Sequence, residues 1–318
     1  MATSAAALLL GLAMLIAGAD LVVRQGTALA ARVGVSPLVV GMTVVSLGTS
    51  LPELAIGITA AHQGNAGLAV GNIVGTNLVN VLLILGLSAL IRPVSFEPRT
   101  LRVDLPVMTG AAVLLLVLAF DGSLTSTDGV WLCVYGAAYL ALMVVQAKRA
   151  PVTAEGGPNV GARARPAALQ VALLVLGLAV IVVGSEFLVD GAVSIARIWG
   201  ASDTVIGLTV VAIGTSAPEL VTTIVSTVRG GDRSLALGNL LGSSVFNIAL
   251  ILGPTVIAAP GTVPVPDDVL ALDMILMVAT ALVCVPAFFT RRQLTRGEGG
   301  AFVAVYVLYT TWLIMTRL

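Results

Sequence analysis

Apolar residues in this chain come in long unbroken runs, and no other feature narrows its possible folds as much. A helix needs roughly 20 mostly apolar residues to cross the hydrocarbon of a bilayer. Such runs are centred on residues 5–23, 36–60, 68–90, 103–120, 128–146, 167–188, 204–227, 234–257, 269–288 and 300–316. Charged residues make up only 10% of the chain and sit mostly in the short loops between runs, while mean hydropathy is +1.07, outside the range of a soluble domain. The runs are continuously rich in Leu, Ala, Val and Gly rather than alternating at period two, which argues against a β-barrel. The expected fold is therefore an all-α polytopic membrane protein of ten transmembrane helices. The first run lacks Lys or Arg before Arg24 and has a later copy, so it reads as a span rather than a cleaved leader. Cys133 and Cys284 fall inside expected spans, so neither a disulfide nor a thiol metal cluster is expected.

With ten spans, the loops alternate between two faces. One face collects Arg24, Arg32, Arg92, Arg99, Arg102, Lys148, Arg149, Arg163, Arg165, Arg229, Arg233, Arg291, Arg292 and Arg296; the other holds only Arg197 and Arg317. This asymmetry places the first face in the cytoplasm of a plasma (inner) membrane protein, with both termini outside. The opposite face carries Asp121, Asp128, Asp203, Asp267 and Asp268. They form either an acidic external rim or a set of simply solvated loop residues.

The chain is also duplicated. GMTVVSLGTSLPEL at 41–54 recurs as GLTVVAIGTSAPEL at 207–220, identical at ten of fourteen positions, and GNIVGTNLVNVLLILG from Gly71 recurs as GNLLGSSVFNIALILG from Gly238. IAGADLVV in the first run is echoed by VVGSEFLV, at a similar offset of about 166 residues. The expected units are a first five-helix repeat at 1–147, a polar cytoplasmic linker at 148–166 and a second repeat at 167–318. Five is odd, so the second copy enters from the opposite side and the two are inverted, an architecture whose site lies near the midplane between repeats.

Glu53 and Glu219 each lie deep in an apolar run, where an ionised carboxylate costs at least a few kcal/mol. Each follows Gly-Thr-Ser and an immediately preceding proline, Pro52 or Pro218. Proline removes a backbone donor and clashes with the previous turn, releasing carbonyls near Gly48 and Gly214. At helical spacing Thr49 and Ser50 share a face with Glu53, and Thr215 and Ser216 share one with Glu219. Thr76 with Asn80, and Ser243 with Asn247, form matched oxygen-bearing faces in the following spans, and glycines 71, 75, 238 and 242 would admit close helix approach. Carboxylates, carboxamides, hydroxyls and carbonyls without imidazole or thiolate suit Ca2+ or Na+ and suit zinc or copper poorly.

These paired blocks resemble the alpha repeats of the cation/calcium antiporter superfamily, in particular its sodium/calcium exchanger branch, and the resemblance covers essentially the whole chain. It implies that Glu53 and Glu219 bind calcium and that Thr49 and Thr215 add backbone oxygens. It further implies that Ser50, Ser216, Thr76 and Ser243 coordinate sodium, with Asn80 and Asn247 at the remaining polar positions. Ser46 and Ala212 match positions that contribute carbonyls. Relatives that carry Asp in place of Asn247 include potassium-dependent exchangers, so this chain is expected not to carry potassium. The implied activity is exchange of Ca2+ for Na+ by alternating access, the first and sixth spans moving against a core. The alternative within the superfamily is proton coupling, whose members usually show a different repeat. Expected partners are Ca2+, Na+ or a proton, and membrane lipid, with no nucleic acid and no cofactor.

An intramembrane hydrolase also buries paired acids, but it needs an activated water or a nucleophile with its base, and no histidine falls in a span. A channel would use similar oxygens without needing two inverted half-sites. Asn80 and Asn247 have an alternative reading as interhelical glue. Asp20 and Glu186, near the ends of spans one and six, read as structural or interfacial. Glu186 and Asp190 give span six a wet face, His62 falls in a loop, and Trp131, Trp199 and Trp312 read as interface anchors or packing residues.

Overall fold

Backbone in an apolar run must bond to itself where no water reaches it, and helices achieve this within one segment. A computed structural model describes residues 2–35, 37–51, 53–54, 57–58, 66–98, 100–149, 166–198, 212–229 and 233–317, and these are mostly helical. The first half contains α1 (Ala2–Val33), then α2 (Pro37–Val40) continuing through a π-helical turn, π1 (Gly41–Val45), into α3 (Ser46–Thr49). Next come α4 (Ala66–Leu78), π2 (Val79–Leu85) and α5 (Gly86–Ile91), then strand β1 (Val94–Ser95), π3 (Thr100–Asp104), α6 (Leu105–Leu118), strand β2 (Ser123–Leu124) and α7 (Ser126–Arg149). The second half contains α8 (Ala167–Ile198), α9 (Ala212–Thr215), α10 (Ala217–Arg229), α11 (Ser234–Phe246), π4 (Asn247–Leu252) and α12 (Gly253–Ala258). It ends with β3 (Val263–Pro264), π5 (Val269–Met274), α13 (Ile275–Arg291), β4 (Gln293–Leu294) and α14 (Arg296–Arg317).

Seven helical stretches among the described residues are long and apolar enough to cross a membrane: Thr3–Val33, Ala69–Ile91, Thr100–Leu118, Ser126–Val145, Ala167–Gly191, Ser234–Ala258 and Arg296–Thr316. Three shorter apolar helices, Leu38–Thr49, Ala217–Val228 and Val269–Val285, fall in the other expected spans. Two of these abut the Gly-Thr-Ser-x-Pro motif, and residues 55–56, 59–60 and 204–211 of the same expected spans lie outside the described residues.

The longest helices, α1 and α8, pack along each other backbone to backbone. A Cβ on Gly11 would stand 2.6 Å from the Gly184 carbonyl oxygen, and one on Gly18 2.9 Å from that of Gly177. Numbering rises along one helix as it falls along the other, so the pair is antiparallel. Large side chains such as Phe246, Ile84, Leu85, Leu105 and Leu115 fill the main core beside this pair, whereas Val117, Phe120, Leu308 and Met315 point outward. Apolar exteriors of this kind suit lipid rather than water.

Two short strand pairs tie the halves together. β1 pairs antiparallel with β4, and β2 with β3. Because π3 and α6 run between β1 and β2, the pairs lie at opposite ends of that helix. Near the first pair, Arg233 donates to the carbonyls of Arg92 (3.1 Å) and Pro93 (2.7 Å), and Arg296 to that of Ile91 (3.2 Å). Burial and the neighbouring Arg92 pull the Arg233 guanidinium below its ordinary pKa. A cavity of about 260 Å³ opens there, lined by Arg92, Ser95, Glu97, Thr100 and Arg233 among others.

Loop acids mostly serve local structure. Asp128 accepts from the Thr125 amide (2.8 Å) and hydroxyl (2.6 Å), and Glu298 repeats this with Thr295 (2.8 and 2.7 Å), both capping boxes. Asp121 accepts from Ser123 N (3.1 Å) and Asp268 from Val269 N (3.0 Å), so turn and cap roles explain these two rim acids. Asp20 holds Arg24 at 2.8 Å, while Glu186 and Asp190 are exposed on α8. Trp131 and Trp312 are surface-exposed; His62, Trp199 and Asp203 lie outside the described residues. Cys133 and Cys284 are unpaired thiols on α7 and α13.

Candidate cation site

Backbone hydrogen bonds flank each helix break. Ser50, with φ −86° and ψ 7°, leaves helical geometry, yet its amide still donates to Ser46 O (3.0 Å), and Leu54 N donates to Ser50 O (3.2 Å). In the second half Leu220 N donates to Ser216 O at 2.9 Å. Each Gly-Thr-Ser therefore marks a turn between two short helices, and the glutamate opens the second one.

Glu53 and Glu219 are both 0% exposed. Their carboxylates lie close enough to interact electrostatically, so the motifs of the two halves meet. Ser243 donates to Glu219 Oε1 at 3.1 Å. Ser50 donates to Ser243 Oγ at 3.4 Å. Ser50 and Ser243 thus link the first half to the Glu219 carboxylate.

The flanking elements bring in the rest. α3 packs on α11, and α9 on α4; π2, with Asn80, packs on α10, and α4, with Thr76, packs on π4, which begins at Asn247. Thr76, Asn80, Ser216 and Asn247 are all 0% exposed and Thr215 4%. Among the described residues no partner reaches either oxygen of Glu53, Glu219 Oε2, Thr76 Oγ1, Ser216 Oγ, or either amide atom of Asn80 and Asn247. A buried carboxylate left this way is costly unless a cation or proton joins it. Asn80 and Asn247 lie in π-turns, where the backbone bulges and side chains are re-aimed, a frequent device at functional sites.

Ser46 and Ala212 sit differently from the others. The Ser46 hydroxyl spans Gly41 O (2.9 Å) and Asn239 O (2.8 Å), and its carbonyl accepts from Ser50 N (3.0 Å) and Thr49 Oγ1 (3.3 Å). Ala212 is the first described residue of its segment and begins α9. The close approach expected at Gly238 and Gly242 is present: a Cβ on Gly238 would strike Leu38 O, and one on Gly242 would lie 2.7 Å from Met42 O. Gly71 and Gly75 meet nothing tight among the described residues; the repeat-mates of the 38–46 stretch, residues 204–212, lie almost wholly outside them.

The sequence reading overlooked Asn239, whose Oδ1 accepts from the Thr49 hydroxyl at 3.1 Å. Its signal was the Gly-Asn that opens both second blocks. It also overlooked two buried acids: Asp104 accepts from Tyr139 (3.2 Å) and Asp273 from Tyr309 (2.9 Å). Each acid and its tyrosine recur at matching positions in the two halves. Among the described residues no group of three or more His, Cys, Asp and Glu gathers as a metal cluster, so the donor set at this site is two carboxylates plus neutral oxygens. Hard cations such as Ca2+ and Na+ take such ligands.

Comparison with known proteins agrees with this chemistry. The family model for sodium/calcium exchanger proteins matches residues 3–147 and 169–315. The chain is 35% identical to the inner membrane protein YrbG of Escherichia coli, covering 99% of this chain and 97% of that one. It is 34% identical to the sodium/calcium exchanger MaX1 of Methanosarcina acetivorans, covering 95% and 96%. Among solved structures, the sodium-calcium exchanger NCX_Mj soaked with zero Na+ and Ca2+ superposes with a TM-score of 0.83 at 30% identity, covering 98% of this chain and 99% of that one. A duplicated acidic motif in an apolar helical protein, with matches over nearly its full length, leads to one conclusion: the chain belongs to the sodium/calcium exchanger family.

Proposed function

We propose that this protein exchanges Ca2+ for Na+ by alternating access, binding the ions between its two halves. The observation that carries the reading is that Glu53 and Glu219 are both fully buried, within electrostatic reach of each other, amid oxygens that lack partners among the described residues. One divalent ion balances both carboxylates; several monovalent ions sharing the surrounding oxygens do the same. The empty charged site is expensive to move through an apolar barrier, so the carrier changes face only when loaded. Thr49, Thr215, Ser50, Ser216, Thr76, Ser243, Asn80 and Asn247 complete the shell in this reading, with carbonyls from Ser46 and Ala212. The family is one of transporters, and the names of MaX1 and NCX_Mj speak for sodium as the counter-ion.

The architecture in this reading is ten spans in two inverted repeats, 1–147 and 167–318, joined by a cytoplasmic linker at 148–166, with both termini outside the inner membrane. The strand pairs support it. Exchanging the halves turns β1–β4 into β3–β2, and these pairs lie at opposite ends of α6, as a twofold axis in the membrane plane requires. The antiparallel glycine seam of α1 and α8 is suited to sliding of the first and sixth spans.

Calcium uptake into proteoliposomes with Na+, K+ or H+ gradients imposed one at a time tests the proposal. Uptake is expected with the outward Na+ gradient alone. Uptake with the proton gradient alone would replace sodium coupling with proton coupling, and uptake with no counter-ion would show a pore.

A further inference from the structure

Helix α10 carries a polar stripe that the ion site does not use. Continuing from Glu219 at helical spacing are Thr222, Thr223, Ser226 and Thr227, only 0%, 1%, 2% and 3% exposed. Hydroxyls on helices elsewhere in this protein bond back to the preceding turn: Thr43 to Val39 O (2.7 Å), Thr255 to Ile251 O (2.8 Å), Thr310 to Tyr306 O (2.9 Å) and Ser244 to Leu240 O (3.1 Å). That local bond is the default for a buried Ser or Thr. Thr222, Thr223 and Ser226 do not make it, and among the described residues their hydroxyls have no partner. A buried hydroxyl left unpaired costs about 1–3 kcal/mol, so three in line on one helix are a sustained expense that packing alone does not explain.

The stripe also leads somewhere. Thr227 meets Ser88 of α5 at 2.8 Å, Ser88 O accepts from Arg92 N at 3.0 Å, and Arg92 lines the 260 Å³ cavity together with Glu97 and Arg233. From Glu219 to Thr227 is about 12 Å along the helix axis at 1.5 Å per residue. The same positions after Glu53 are Ile56, Gly57, Ala60 and Ala61, so the duplication does not account for the hydroxyls.

We propose that Thr222, Thr223, Ser226 and Thr227, with Ser88, line the closed route by which cations pass between Glu219 and the arginine-bearing face. A cation shedding water in an apolar protein needs replacement oxygens at each step. Neutral hydroxyls supply them without a charge that would trap the ion. Arg233, clamped on the carbonyls of Arg92 and Pro93, holds the outer end of this route shut.

The inference rests on the exchange proposed above, and the test separates the two. The full-length chain is purified, and Ca2+ binding in detergent is measured beside Na+-driven Ca2+ exchange in proteoliposomes. With Thr222→Val, Thr223→Val and Ser226→Ala combined, binding should stay within about twofold while exchange falls about tenfold or more. Restoring one oxygen by Thr223→Ser in place of Thr223→Val should recover part of the rate. Wild-type exchange by the combined variant overturns this inference alone; absence of exchange in the wild-type protein overturns both proposals. Should the combined variant not fold, Ser226→Cys in a Cys133→Ala, Cys284→Ala background gives the answer. A membrane-impermeant thiosulfonate should modify it from the arginine-bearing face during exchange, and no modification from that face while exchange runs overturns the route.

Discussion

After Glu219 the second half continues in hydroxyls, whereas after Glu53 the first half continues in Ile56, Gly57, Ala60 and Ala61. Up to the glutamates, the two regions match: the same Gly-Thr-Ser turn, the same proline, a carboxylate 0% exposed. Beyond them even the neighbours differ in use. Ser88 reaches across to Thr227, while its repeat-mate Thr255 bonds back to Ile251 O and packs on Gly57, where a Cβ would stand 2.8 Å from its hydroxyl. The contrast shows where duplication constrains a chain. In the proposed exchanger both halves contribute to one site, so their motifs would be held to the same geometry, while each would lead away from the site toward a different face and be free to differ there.

The shared part of the comparison predicts the largest effect. If one divalent ion sits between both glutamates, Glu53→Gln and Glu219→Gln should each reduce Na+-driven Ca2+ exchange by more than about a hundredfold, roughly 2.7 kcal/mol or more. The double variant should be scarcely worse than either single one, because residues acting as a unit are not additive. Flux assays that find one glutamate dispensable break the symmetry of the site.

A smaller effect concerns the glycines that let the halves touch. Gly242→Val drives a side chain into the Met42 carbonyl and should cost about 1–3 kcal/mol, read as a lowered melting temperature in detergent. Gly75→Val is the matched measurement in the other half. An equal loss extends the match to both halves, and a neutral result confines it to one side.

The smallest effect tests the divergent part. Ser88→Ala removes a bond between helices and should cost about 0.6 kcal/mol, the average for such bonds in membrane proteins. Thr255→Ala removes only a local back-bond and should cost less. Thermal unfolding of the two variants side by side measures the difference, and equal shifts would erase it.

Much of this was readable before any coordinates. Helical class follows from the hydropathy of the runs, since a backbone in hydrocarbon has few ways to satisfy itself. Glu53 and Glu219 stood out because an acid in an apolar run is costly and both lie in the duplicated motif. What needed the tertiary structure was every relation across the chain. Ser46 and Thr49 both reaching Asn239, and β1 paired with β4, join residues 190 or more positions apart. Local pattern carries no record of such distances. Nor did spacing reveal that Thr222, Thr223 and Ser226 forgo their usual back-bonds, because a hydroxyl's partner is chosen by the rotamer that neighbouring helices permit. Periodicity and cost determine which residues must be inside; only packing decides what each one meets there.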